Sequence, residues 1–253
     1  MGRLVRHVIV TAALTALCSP AAIAQDLSLD EILNNHYAAL GGLDNIRSIT
    51  SRRMVGRMTL PQGMEATFTL LSKRPMKARM EFTLQGMTGV QAYDGETAWM
   101  LMPFMGQTEP EIMPPDMADP MKEEADFDGP LVDYAEKGHK LALLGMEDVE
   151  GAQTYKLELT HKNGEITIFY LDADYFLPIK SESERTMQGM EMHVETVLSD
   201  YKEVDGMMIP HSLQILQGPG SQTLTIEKVE HNVELDDAQF SMPKKEAPSG
   251  TIK

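Results

Sequence analysis

Few residues in this 253-residue chain have the types and spacing that chemistry requires. His139, His161, His193, His211 and His231 stand singly, without the short fixed intervals of a metal site. No G-x-S-x-G elbow, G-x-G-x-x-G turn, Walker loop or H-E-x-x-H pair occurs. Glu123 with Glu124, and Asp126 with Asp128, could be drawn as acid/base pairs, but they sit in an acidic run where solvated carboxylates are the rule. Met187, Met190, Met192 and His193 combine thioethers with an imidazole, a donor set suited to Cu(I). On a strand, though, Met190 and Met192 share one face while His193 takes the other, and Met100 and Met102, near Met105, are likewise ordinary strand neighbours. The sequence asks for no catalytic residue, no metal ligand and no cofactor, so binding is the expected activity.

Methionine is the compositional anomaly: 20 residues against 7 Phe and 1 Trp, with most of them between Met54 and Met121. Its unbranched, polarisable side chain serves adaptable binding surfaces, or simply fills an irregular core. The formal net charge of −16 repels nucleic acid and anionic membranes, and excludes both as partners that a charged surface would recruit.

The elements that must position a binding surface are mostly strands. Arg3 and Arg6 precede an apolar run, and Ala22-Ile23-Ala24 supplies a cleavage site, so residues 1–24 are expected to be a secretory signal peptide and the product a periplasmic protein. Leu17 before Cys18, the chain's one cysteine, is too bulky for a lipid-anchor site, and the mature chain then has no thiol. A single domain over 25–243 and a frayed tail over 244–253 are expected. Ser28 and Glu31 form a capping box for a helix carrying Ile32, Leu33, Tyr37 and Leu40, ended by Gly41.

From Ile49 onward the period is two. Met54, Met58 and Leu60 share a face, as do Met64, Phe68 and Leu70, then Met80, Phe82 and Leu84, each opposite a face rich in Arg, Glu and Thr. Trp99-Met100-Leu101-Met102 is apolar on both faces, so something must cover each. Strands resume over 141–146, 154–160, 166–171, 176–182, 190–198, 207–216 and 224–233. That makes about ten or eleven antiparallel strands, more than an open flat sheet carries without curling. Between the two groups, residues 103–138 hold six of the 14 prolines and ten acids, a density expected to exclude a regular strand or long helix. This stretch is either a lid over the sheet or a passive surface excursion.

Lys73-Arg74-Pro75, Asp94-Gly95, Trp99, Pro103-Phe104-x-x-Gln107 and Asp237-Ala238-x-Phe240-x-x-Pro243 follow in order, with Leu40-Gly41-Gly42, Ile46 and Ile49 before them. This series, touching both ends and the middle of the mature chain, resembles the LolA/LolB-like superfamily of periplasmic lipoprotein carriers and outer-membrane lipoprotein-sorting proteins. The resemblance implies a mainly β (α+β) fold: a curved antiparallel half-barrel closed by an N-terminal helix and a helical or irregular lid, with a hydrophobic cavity for acyl chains. It implies a cavity lined by Met54, Met58, Met64, Phe68, Leu70, Met80, Phe82, Leu84, Trp99, Leu101 and Phe104. It makes Arg74 the candidate latch of the lid, against the plainer reading of a strand-end arginine, and leaves Trp99 either lining or core. The partners implied are an acylated lipoprotein or lipid and transport proteins of the inner and outer membranes. The competing readings are an envelope scaffold or sensor with a filled core, and a Met-based copper protein.

Overall fold

The computed structural model describes residues 27–244 except 188–189 and 219, and omits the side chains of 186–187. The expected signal peptide with Cys18, the tail beyond 244 and the Met187 side chain lie outside the described residues.

Strands β1 (Ser51–Thr59), β2 (Glu65–Lys73), β3 (Lys77–Leu84), β4 (Met87–Tyr93), β5 (Ala98–Leu101) and β6 (Glu111–Ile112) make one meander. A second runs through β7 (Lys140–Val149), β8 (Ala152–Thr160), β9 (Ile166–Asp172), β10 (Pro178–Met187), β11 (Met190–Val204), β12 (Met207–Gln217) and β13 (Gly220–His231). Pairing of β1 with β13 joins them in the order β6-β5-β4-β3-β2-β1-β13-β12-β11-β10-β9-β8-β7, a curved, unclosed antiparallel sheet of 13 strands.

Thirteen strands replace the ten or eleven expected, because β4 and β6 carry weak local signals. β6 has two residues, and in β4 a glycine stands where the apolar alternation would need a side chain. Packing explains that glycine: a Cβ on Gly89 would lie 2.7 Å from Phe104 and 2.9 Å from Phe82.

Register sorts the residues onto two faces. Met54, Leu70 and Met80 oppose one another on the face that the helices cover, here the inner face. Leu71, Arg79, Ala92 and Trp99 form the corresponding row outside.

Helix α1 (Leu29–Ala39) begins at the expected capping box, with both reciprocal bonds between Ser28 and Glu31 present. Its Ile32 and Leu33 pack on Leu157 and Leu171 of β8 and β9, each burial worth about 1.5–3 kcal/mol. Helix α2 (Leu43–Ser48) places Ile46, with Ile49 just beyond it, against Met207 and Ile209 of β12. The chain reaches it through Gly41, at φ 115°, where a Cβ would stand 2.1 Å from the Gly206 carbonyl oxygen.

Helix α3 (Pro115–Ala125) is a short helix of 11 residues within the stretch expected to be helical or irregular. Pro114 is the N-cap and Pro115 opens the helix, where a missing N–H costs nothing. Pro120 is interior and does weaken the helix, but tertiary packing outweighs it. Ala118, Met121 and Ala125 bury against Ala78 and Ala98, small residues facing small ones, with Tyr93 and Met100 alongside.

After β13 the chain crosses the outer face of β2 to β5 as a strap. Leu235 and Phe240 pack on Leu71, and Met242 packs beside Val90, Ala92 and Trp99. Among the described residues no helix is long and apolar enough to cross a membrane.

Candidate functional site

The inner face of β1, β2, β3, β12 and β13 carries one continuous apolar cluster. Met54, Met58, Phe68 and Leu70 are buried in it with Ile226, Val229, Met207 and Ile209. Met80, Phe82 and Leu84 pack on it half-buried, as do Leu60, Leu213 and Leu224. Phe104 reaches the same face, its ring 5.4 Å from that of Phe82. The structure therefore brings together most of the residues that the sequence singled out for this surface.

Three of those residues stand elsewhere. Trp99 and Leu101 project outward because the strand period gives the inner face to Ala98 and Met100. Trp99 is 1% exposed, and its indole Nε1 donates to the Phe240 carbonyl at 2.8 Å, so its partner is the strap. Met64, between the 3-10 turn at Pro61–Gly63 and β2, is 42% exposed and outside the cluster.

The inner face differs between its two ends. At one end α2, α3 and Phe127 cover the sheet, and Phe127 is itself part of the apolar cluster. At the other, Leu60, Leu84, Leu213 and Leu224 keep part of their surface in solvent. Two pockets lie away from this face: about 360 Å³ between α1 and Asp133–Glu136, and about 470 Å³ between the strap and Arg79–Glu81.

Arg74, between β2 and β3, ties the covering elements together. Its guanidinium donates to both carboxylate oxygens of Asp128, at 2.6 Å to Oδ2. It also donates to the carbonyls of Ile49 at 2.7 Å and Ile46 at 2.9 Å, and lies 4.7 Å from the Phe127 ring centre. One side chain thus joins the sheet, the end of α2 and the segment that follows α3. This bidentate geometry is the strong form of the guanidinium–carboxylate pair. Sequence reasoning found Arg74 but not Asp128 or Phe127, since nothing local marks which acid among ten it would meet across 54 positions.

The rest of the segment is also held by charge. Lys137 donates to Asp126 at 2.6 and 2.7 Å, Arg47 to Asp133 at 2.9 Å, and Arg185 of β10 pairs with Glu123 of α3. These acids were expected to be solvated; they are tethers instead, and none stands in an acid/base arrangement. Glu124 is exposed and makes no ion pair among the described residues.

The thioether set does not converge. Met190 is exposed, Met192 lies beside Gln217, and His193 turns to the outer face, where Nδ1 meets Glu184 at 2.8 Å. On that face Glu182, His193 and Glu195 bring donor atoms within 4.8 Å of one another, but the Lys180 ammonium already sits 2.7 and 2.9 Å from the two carboxylates. Those hydrogen bonds hold the Lys180 ammonium above its usual pKa against desolvation, so a cation would have to displace a strongly retained one.

No protein-family model matches the sequence, and no curated protein does. Solved structures do match. A DUF1329 family protein from Desulfovibrio piger superposes with a TM-score of 0.58 at 14% identity, covering 84% of this chain and 96% of that one. A LolA superfamily protein from Nitrosomonas europaea gives 0.56 at 16% identity, covering 85% and 98%. A domain from Vibrio parahaemolyticus, named provisionally for outer-membrane lipoprotein sorting, gives 0.54 at 14%, covering 83% and 94%. At such identity the likeness establishes architecture alone, and the architecture is plain: this chain has the LolA-like fold.

Proposed function

We propose that the protein is a periplasmic carrier that holds the acyl chains of a lipoprotein or lipid against the inner face of its half-barrel and hands them on toward the outer membrane. The observation that carries this reading is the inner face itself: one apolar cluster, part-exposed at one end and capped at the other by a segment tethered through Arg74 and Asp128. Structural likeness to a lipoprotein-sorting domain and a LolA superfamily protein supports it. The inner and outer membranes would supply the partners that load and unload it, and binding, rather than a chemical step, is the activity.

The energetics favour exchange between lid and cargo. Each methylene moved from water to an apolar face contributes about 0.8 kcal/mol, whereas a charge-assisted hydrogen bond contributes about 1.5–3 kcal/mol net. A few sequestered methylenes therefore offset an opened latch, and release becomes a shift in populations. The methionines at positions 54, 58 and 80 adapt to chains of different length without fixed complementarity.

Phe127 and α2 fill part of the inner face, which favours a second reading, a filled scaffold or sensor domain. Solvent extraction and mass spectrometry of gently purified protein separates the two. Stoichiometric lipid, or saturable uptake of a fluorescent fatty acid, is expected of the carrier; neither would leave the filled fold.

A further inference from the structure

Three buried side-chain atoms lack a hydrogen-bond partner among the described residues: Arg52 Nε, Ser72 Oγ and His231 Nε2. They are scattered in sequence but form a single row of the sheet. Arg52 of β1 stands directly opposite Ser72 of β2 on one side and His231 of β13 on the other. Ser72 is 1% exposed and the His231 side chain 3%. Native folds leave few such groups, and three together point to a partner the chain itself does not supply.

The row's chemistry selects that partner. Arg52 has neither an ion pair nor a hydrogen bond through its guanidinium among the described residues; its neighbour is the Phe127 ring, 5.0 Å from its Cζ. A guanidinium fork matches carboxylate and phosphate oxygens. The Arg52 side chain is half-buried; desolvation lowers its pKa, Glu124 and Asp128 offset this through space, and the Arg74 charge adds to it. The Ser72 hydroxyl can donate to the same anion. His231 Nδ1 faces Asp205 at 3.0 Å, which assigns the Nδ1 proton and leaves Nε2 as an acceptor that a phosphate monoester hydroxyl can meet, whereas a carboxylate would engage only Arg52 and Ser72. Strands about 4.8 Å apart place Ser72 and His231 roughly 10 Å from each other, too far for a serine–histidine nucleophile.

The next inner row is Leu70, Met54 and Val229, all apolar. From Arg52 along β1 to Met58 is about 20 Å at the usual strand rise, and one acyl chain spans about 15 Å, half of a bilayer core. A polar row thus heads an apolar stripe long enough for a tail. We propose that Arg52, Ser72 and His231 form an oxyanion subsite for the carboxylate or phosphate headgroup of the bound amphiphile, opened when Phe127 lifts with the segment that Arg74 holds. This assignment rests on the carrier reading above and names its substrate class.

The test compares full-length wild type with Arg52→Met and Ser72→Ala for binding of oleate, oleoyl lysophosphatidate, neutral mono-oleoylglycerol and inorganic phosphate. Wild type is expected to prefer an anionic amphiphile by about tenfold or more over the neutral one, as a charge-assisted hydrogen bond warrants. Arg52→Met should lose the preference without lowering the melting temperature of the empty protein, since the charge removed is partly desolvated and has no ion pair among the described residues. Ser72→Ala should lower the preference without changing the fold. Equal binding of all three amphiphiles by wild type, or a preference that survives Arg52→Met, overturns the subsite and spares the carrier. Phosphate stabilising wild type but not Arg52→Met, with no amphiphile bound, overturns the headgroup assignment and the carrier reading together, leaving a site for a free oxyanion.

Discussion

Two coverings are laid on the same sheet, and they are held by different physics. The strap on the outer face is anchored by Phe240, wholly buried, whose carbonyl accepts from the buried indole of Trp99. The segment over the inner face buries Ala118, Met121, Ala125 and Phe127, and it is tethered as well by charge through Asp126, Asp128, Asp133 and Glu123. Large buried apolar groups lose their full transfer free energy if they leave, whereas partly exposed ion pairs exchange protein for water at modest cost. The charged tethers lead to the expectation that the segment over the inner face opens more readily than the strap.

The comparison breaks first at Phe240. Phe240→Ala is expected to cost about 3–5 kcal/mol, the usual range for a fully buried phenylalanine, measured by denaturant unfolding. A loss below 1 kcal/mol would mean that the strap is no more essential than the lid. Arg74→Leu should cost about 2–3 kcal/mol, less than Phe240, because the side chain is 25% exposed and Asp128 17%. Its distinguishing effect is local: amide exchange should speed up in α3 and lipid release should change, while the strap's amides stay protected. Uniform acceleration across both coverings would make Arg74 a general structural residue.

What the sequence showed, and what it hid, divides along the same line. Period-two alternation placed Met54, Phe68, Met80 and Phe82 on one face correctly, since a half-dry sheet writes its register into the chain. The Ser28–Glu31 box was equally local. Leu101 was misplaced, and Trp99, left open between lining and core, proved to be core, because β5 is apolar on both faces and periodicity then cannot choose a side. The strap that claims Trp99 comes from 141 positions away. The bounds of α3 were not legible within a stretch expected to be helical or irregular, because proline density speaks only of local cost, while Ala78 and Ala98 supply the tertiary gain. The row of Ser72, Arg52 and His231 exists only through pairing of β1 with β2 and β13, so no linear motif announces it.

Pro120 offers a way to sharpen the contrast from the other side. An interior proline removes an intrahelical hydrogen bond, so Pro120→Ala is expected to stabilise α3, by about 1–2 kcal/mol once packing has absorbed part of the ideal penalty. Slower amide exchange in α3, with slower lipid uptake, is the expected pair of results. Faster exchange would show that proline shapes the helix to the sheet instead of loosening it.

The smallest effect belongs to the ion pairs that the strap makes through Asp237. Lys73 and Lys77 both reach Asp237 at 2.7 Å, and their hydrogen bonds lower its carboxyl to about 2. A carboxyl depressed on folding adds stability above its unfolded pKa, near 3.9, and loses it as pH falls toward the folded value. Asp237 is 60% exposed, so salt screens the contribution. Asp237→Asn should therefore lower the melting temperature at pH 7 by less than any substitution above, with the difference from wild type shrinking in high salt and vanishing near pH 2. A loss as large as that of Phe240→Ala would mean that charge, not burial, holds the strap, and the distinction between the two coverings would fall.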